Sequence, residues 1–376
     1  MKRKNMLTKL SAIVTTLTLG FGCLTGCGSS EEATAGASAE KNEQAAEPEA
    51  EIAKEESDDY ADTITLVWYP NESADNFTAT REEVGRLIEQ ATGKTVEQKL
   101  TTDYAIAIES VASGSAQIGC MFGAEGYIQA KNADGAVDVL FVNSGASGTL
   151  DDAMYYSFIA SKEENAKEYA DGDSYSIQNI DGKKMSFVSN SSTSGFKVPT
   201  NSIISYFSAD SQWADLTVDD LMEGGDDAFF SEVLFGGSHQ GSAFNLISGK
   251  ADVAAFCDTE IVPYASCVEG EEKQVGSVYE INEGAAAPFD TVTGEKFKVI
   301  ASTPVMNGPF VYNSETLNPD DAAAIQELFT SDEVANDEKI FYPADSKEAT
   351  GAYKKTADER FVTVEDSWYD PIRNMQ

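Results

Sequence analysis

The chain has 376 residues, more than one hydrophobic core usually serves, and its 41% apolar residues, with 19 Phe, 15 Tyr and 3 Trp, supply enough for two lobes or domains. Asp and Glu number 64 against 26 Lys and Arg, a formal charge of -38 that argues against nucleic acid as a partner and against adsorption to anionic lipid through basic patches. With one histidine and no cysteine pair at zinc spacing, no metal site or cofactor is expected, so any anion must be held by local donors.

Residues 1-27 read as an export signal. Lys2, Arg3, Lys4 and Lys9 form a basic start, and Leu10 to Gly22 is apolar but short for a membrane span. The segment ends in Leu24-Thr25-Gly26-Cys27, which resembles the lipobox of bacterial lipoproteins. That resemblance implies a lipidated Cys27 as the mature N-terminus, anchored in a membrane through its acyl chains. The Ser/Ala/Glu-rich residues 28-60 read as a disordered tether. Cys120, Cys257 and Cys267 then remain. The last two could pair in an oxidising exterior, but three buried thiols are the expectation.

From Thr63 onward short β-branched runs alternate with amphipathic windows. TITLVWY (63-69), TVEQKL (95-100), QIGCMF (117-122) and VDVLFVN (137-143) read as strands, while Arg81 to Thr92 and Tyr104 to Ser113 read as helices. This alternation predicts an α/β fold of βαβ units with mostly parallel sheets. Lys184 to Val188 reads as a strand and Phe196 to Phe207 as a helix.

Between these two lies SNSSTSG, residues 189-195, rich in hydroxyls and ending on a glycine. A strand, such a turn and a helix start bring unpaired N-H groups, hydroxyls and the positive end of the helix dipole to one point. A tetrahedral oxyanion suits this arrangement, because charge-assisted hydrogen bonds of roughly 1.5-3 kcal/mol each replace its hydration. The same residues also fit a plain N-cap and polar loop. Neither a phosphate-binding G-x-x-x-x-G-K-[ST] loop nor a G-x-S-x-G nucleophile elbow occurs here. Pro199 predicts an irregular first helical turn.

Further along, HQGSAFNLISGKADVAAFC (239-257) repeats the plan of YAIAIESVASGSAQIGCMF (104-122): a helix, Ser-Gly as its C-cap, then an alanine leading into a strand. Similar αβ units are common, yet identical spacing also fits two lobes of like topology, with Tyr104 and His239 at equivalent positions on a shared cleft. Val299 to Tyr312 reads as strand broken by Pro304 and Pro309, and Asp320 to Phe329 as a helix opened by Asn318-Pro319. Crossings between lobes are expected near Ser157 to Ser161 and near Phe297 to Ser302.

These motifs together resemble the phosphate, phosphite and phosphonate substrate-binding proteins of ABC transporters, from about Thr63 to Phe341. STSGFKVP after Phe187 to Asn190, TDYAIAIESVASGSAQIGCMFG, MYYSFIASKE and GSHQGSAFNLISGKADVAAFCDTE occur in that family's order. The resemblance implies a two-lobed type II periplasmic-binding-protein fold with mixed sheets, flanking helices and a hinge. It places oxyanion hydroxyls on Ser192, Thr193 and Ser194, with amides of Ser194 and Gly195 as further donors. It also places the family's histidine on His239 and closing tyrosines on Tyr104 and Tyr155; a lone histidine is otherwise more often a satisfied core or surface residue, but at a helix start after Gly236-Gly237-Ser238 it can donate to an anion and titrate near neutral pH. Of the two carboxylates that relatives use to hold an aminoalkyl tail, the first falls on Glu260 with a one-residue shift. The second position reads Asn307-Gly308, and Met121 and Phe122 replace an aromatic pair.

The expected function follows. An extracytoplasmic, lipid-anchored, monomeric receptor, not an enzyme, captures phosphate, phosphite or a phosphonate without a primary ammonium and delivers it to an ABC permease. A sulfonate or other small organic anion is the alternative, and a secreted hydrolase using His239 with a serine a more remote one. The expected organisation is residues 61-158 in lobe 1, 159-298 in lobe 2, 299-342 returning to lobe 1, and a helical segment over 343-376.

Overall fold

The computed structural model describes residues 60-71, 77-346 and 351-375; the export signal, Cys27 and nearly all of the tether lie outside them. In chain order the first part runs β1 (Thr63–Trp68), α1 (Thr78–Thr92), β2 (Thr95–Leu100), α2 (Tyr104–Ala112), β3 (Ile118–Cys120), α3 (Ala124–Ala133) and β4 (Val137–Asn143). The second runs β5 (Met154–Lys162), a small hairpin of β6 (Ala170–Asp171) and β7 (Ser174–Tyr175), β8 (Lys184–Phe187), a π-helical turn (Thr193–Lys197), α4 (Val198–Phe207), β9 (Glu232–Phe235), α5 (His239–Ile247) and β10 (Val253–Cys257). It continues through β11 (Ala265–Glu269), β12 (Val278–Ile281) and β13 (Lys296–Met306). The chain closes with β14 (Pro309–Asn313), α6 (Pro319–Phe329), α7 (Asp332–Ala335), β15 (Phe341–Pro343), β16 (Tyr353–Lys355), β17 (Phe361–Val362) and α8 (Asp370–Arg373).

Two mixed sheets organise these elements, in the orders β17-β4-β14-β3-β1-β2 and β11-β12-β13-β5-β10-β8-β9. Pairing of β1 with β2 and β3, and of β8 with β9 and β10, is parallel, as the alternating pattern predicts. The returning strands β13 and β14 and the turned-back β5 pair antiparallel, so the sheets are less parallel than alternation alone implies. Each sheet is covered on both faces. Ile64, Leu66 and Trp68 of β1 join the cluster of Val84, Leu87 and Ile88 from α1 and Ile325 and Phe329 from α6, while Val67 and Tyr69 join Ala107 and Val111 of α2 and Tyr127 and Ile128 of α3. The period-2 alternation of side chains along the strand makes this possible. In β10, Val253 and Ala255 face one cluster and Ala254 and Phe256 the other.

Most expected elements form within a residue or two, but four points differ. Helix α3 carried no sequence signal, because AEGYIQAKNA holds a glycine and few aliphatics; its buried face is built from small residues and Tyr127. Pro304 does not interrupt β13, where it pairs with Tyr156. β12 covers β13 only at Lys296 to Lys298, so Pro304 lies on a free edge where its missing N-H costs no ladder bond. The interruption falls at Asn307-Gly308. The stretch after Ala344 finishes in a 3-10 turn and the short α8, as expected, but β16 and β17 precede them, so its helical part is confined to the end. Its Thr356-Ala357-Asp358 turn is gathered by the Glu359 carboxylate, which accepts from the Thr356 hydroxyl and from the Thr356 and Ala357 N-H groups. Finally, the chain leaves the first sheet after Asn143 and returns between Met306 and Pro309; Ser157 to Ser161 and Phe297 to Ser302 lie inside strands of the second sheet. All three described cysteines are free thiols, with Cys120 and Cys257 buried and Cys267 only half-buried on β11.

Candidate functional site

The matching helices α2 and α5 stand one on each sheet. Asp103 caps α2 by accepting from the Ala105 N-H at 2.8 Å, and Ser238 caps α5 by accepting from the Gly241 N-H at 3.0 Å. Gly114 and Gly249 follow them with φ of 70° and 75°, left-handed backbone that suits glycine. The first residues of these helices are Tyr104 and His239, and both meet Asn71 just beyond β1. The Tyr104 hydroxyl lies 3.5 Å from Asn71 Oδ1, the His239 N-H donates to the Asn71 carbonyl at 3.4 Å, and Asn71 Nδ2 donates to the Met121 carbonyl at 2.9 Å.

Beside Asn71 opens a cavity of about 120 Å³ walled from both sheets. Tyr155, His239, Cys257, Thr259 and Glu260 line it from the second sheet's side; Asn71, Phe77, Met121, Phe122, Gly123 and Asn143 line it from the first, with Asn307, Gly308, Ala352 and Tyr353 completing the wall. His239 is 4% exposed, and its Nδ1 accepts the Cys257 N-H at 3.1 Å, which leaves Nε2-H as the donor. Burial lowers its pKa from 6.5 to about 3. The imidazole is therefore neutral at physiological pH, in contrast to the titration near neutrality expected of a histidine at a helix start, because no carboxylate offsets its desolvation. Burial likewise holds the Tyr155 and Tyr104 phenols well above their ordinary pKa, so both stay protonated donors.

The hydroxyl turn sits directly behind this cavity. Ser192, Thr193, Ser194 and Gly195 do not line it, nor does Tyr104. Gly123 connects them: a Cβ there would stand 2.7 Å from Thr193 Oγ1. Ser192 caps the π-turn by accepting from the Gly195 N-H at 3.1 Å, the Thr193 hydroxyl accepts from the Glu125 N-H at 2.9 Å in the first turn of α3, and the Ser194 hydroxyl lies beside the Tyr155 phenol. The Ser194 carbonyl accepts from Ser157 at 2.6 Å. In the same turn Tyr69 donates to the Ser191 carbonyl at 2.8 Å, and the Ser191 hydroxyl donates to Gln129 Oε1 at 2.8 Å. The irregular turn expected from Pro199 is this π-turn, a feature common at binding sites.

Sequence reading did not single out Tyr69, Asn71, Gln129, Asn143 or Tyr353, and marked Asn307 only as part of the place where an acid is absent. Tyr69 and Asn143 end strands that are legible in the sequence and Asn71 follows one, but nothing local marks a strand end as a site, while Gln129 on α3 and Tyr353 on β16 belong to elements without a sequence signal. The structure also explains the missing acid. A Cβ on Gly308 would stand 1.8 Å from the Phe122 carbonyl oxygen, so no side chain fits there, and the Asn307 amide is committed to the Asn143 carbonyl at 2.8 Å. Among the described residues no His/Cys/Asp/Glu group could hold a metal ion, and no helix is long and apolar enough to cross a membrane.

Residues 66-369 match the family described as ABC transporter, phosphonate, periplasmic substrate-binding protein. A phosphate-import protein of Mycolicibacterium smegmatis is 24% identical over 324 residues, 84% of this chain and 85% of that protein. Among solved structures, the binding component of a Pseudomonas aeruginosa ABC phosphonate transporter aligns with a TM-score of 0.56 at 17% identity, covering 83% of this chain and 85% of its own. A Prochlorococcus marinus protein in complex with methylphosphonate aligns with a TM-score of 0.55 at 14% identity, covering 84% and 97%. Both share the two-lobed fold with this chain.

Proposed function

Since this chain belongs to the phosphonate family of ABC-transporter periplasmic substrate-binding proteins, we propose that it captures a phosphorus oxyanion in the cavity between its two sheets and delivers it to a permease. The observation that carries this reading is the set of neutral donors around the cavity: the His239 Nε2-H and the Tyr155 phenol on its wall, with Ser192, Thr193 and Ser194 behind. Fixed neutral donors replace hydration without needing a cation, which reconciles anion capture with a charge of -38. The Glu260 carboxyl group on the same wall can accept from a P-O-H, which phosphate and phosphonates keep in part near neutrality and sulfate does not. The missing second carboxylate disfavours a primary ammonium tail.

Residues 60-143 and 309-375 make one lobe in this reading and 154-306 the other, joined by the strand ends around 144-153 and 307-308, which serve as the hinge. The Tyr69, Thr193 and His239 contacts across the cleft are the ones that closing would make. Cys27, lipidated, tethers the receptor outside the cell, and delivery occurs without bond chemistry on the ligand.

The test is a thermal-shift panel of phosphate, phosphite, methylphosphonate, 2-aminoethylphosphonate and sulfate, run on wild type and on the double variant Thr193→Ala, Ser194→Ala. Wild type is expected to be stabilised by a phosphorus oxyanion and not by sulfate. The double variant should lose that shift and about 1 kcal/mol of intrinsic stability, because Thr193 also caps α3. A panel without any shift, or stabilisation by sulfate alone, rejects the ligand class.

A further inference from the structure

We propose that Tyr353, with its neighbour Ala352, sets the length of tail that the cavity admits. The inference rests on the reading that this cavity takes a phosphorus oxyanion. Both residues belong to the C-terminal segment, outside every motif recognised in the sequence, and both line the cavity opened by His239, Tyr155 and Glu260.

The Tyr353 wall is firm. Its N-H donates to the Ile340 carbonyl at 2.9 Å, and it stands in parallel register with Phe341. Its ring centroid lies 5.3 Å from that of Phe341 and 5.4 Å from that of Phe361, two fully buried core residues. Just before it, Gly351 approaches the Ile340 carbonyl so closely that a Cβ would stand 2.7 Å from its oxygen. Just after it, the Lys355 ammonium donates to the carbonyls of Ala335 at 2.5 Å and Glu359 at 3.1 Å. An aromatic side chain pinned on both sides cannot swing aside without breaking core contacts, so it limits what fits in about 120 Å³.

Its chemistry suits a short polar end. Burial keeps the phenol protonated well above the ordinary tyrosine range. Tyr353 from the first lobe and Glu260 from the second thus give the cavity a hydroxyl and a carboxyl group. An unsubstituted oxyanion or a methyl-sized substituent fits such a space, whereas a longer alkyl tail would meet the ring.

Isothermal titration of the full chain with phosphate, methylphosphonate, ethylphosphonate and butylphosphonate tests this. Tyr353→Ala should improve butylphosphonate relative to methylphosphonate about tenfold. Because that variant also removes core contacts, Ala352→Leu provides the opposite arm: it should weaken ethylphosphonate about tenfold while leaving phosphate within about threefold. Tyr353→Phe should keep the wild-type order of ligands. A wild type that binds while neither variant changes the ratios overturns the wall alone. A wild type that binds no member of the series overturns the ligand class, and this proposal with it.

Discussion

The imidazole of His239 is held by the Cys257 N-H at Nδ1 and buried, so its behaviour with pH differs from that of a surface histidine. As pH falls through 6.5 the unfolded chain takes up a proton that the folded chain refuses until about 3. The unfolded state therefore binds more protons across that window. His239 contributes stability that is fully present above 6.5 and lost as pH falls toward 3, at up to about 1.4 kcal/mol per pH unit. Urea unfolding of wild type and His239→Gln over that range should show the variant's stability falling less steeply, by up to one proton. A second consequence concerns the ligand: affinity should show no step from His239 between about pH 5 and 8, and should follow the ionisation of the ligand itself. A wild-type step near pH 6.5 that vanishes in His239→Gln would contradict the neutral donor.

At the scale of elements, the close approach of two segments accounts for a residue that sequence reading could only mark as missing. Gly308 lies where β13 hands over to β14, against the Phe122 carbonyl two residues beyond β3. A side chain there must push apart backbone that both sheets hold. Gly308→Ala is expected to cost roughly 1-3 kcal/mol in urea unfolding, the range for overpacking a tight site. A variant as stable as wild type would show that the handover has slack. The π-turn at Thr193 to Lys197 belongs to the same scale. The Ser192 hydroxyl caps it, Pro199 follows in the first turn of α4, and its Thr193 hydroxyl closes the first turn of a helix on the other sheet. One turn thus satisfies the starts of two helices.

For the molecule as a whole, a formal charge of -38 repels any anion at long range while fixed dipoles attract it at contact. These effects separate by ionic strength, because the Debye length is about 8 Å at 0.15 M and several times longer in dilute buffer. Association of phosphate measured by stopped flow should therefore accelerate as salt rises from dilute buffer to about 0.15 M, opposite to the usual steering of charged partners. An association rate that falls with salt would mean that a positive patch, and not a neutral nest, guides the ligand.

Local pattern and local chemistry were sufficient for much of this protein. Alternation in TITLVW and VDVLFVN places strands, the Ser-Gly repeat marks α2 and α5 as counterparts, and the hydroxyl run before Phe196 marks a helix start rich in donors. These signals are legible because strands, caps and turns depend on residues within one or two turns of each other. What depends on distant segments was not legible. α3 lacks an apolar stripe and forms against α2, α8 and the π-turn, the protonation of His239 follows from burial, and the emptiness at Gly308 follows from a carbonyl some 190 residues earlier in the chain. Tyr353 came to the cavity the same way, carried there by a parallel pair with Phe341. Residue types and their local order show which chemistry could meet an anion; packing selects which groups stand at the cavity and how much room they leave, because burial and contact are properties of the folded chain.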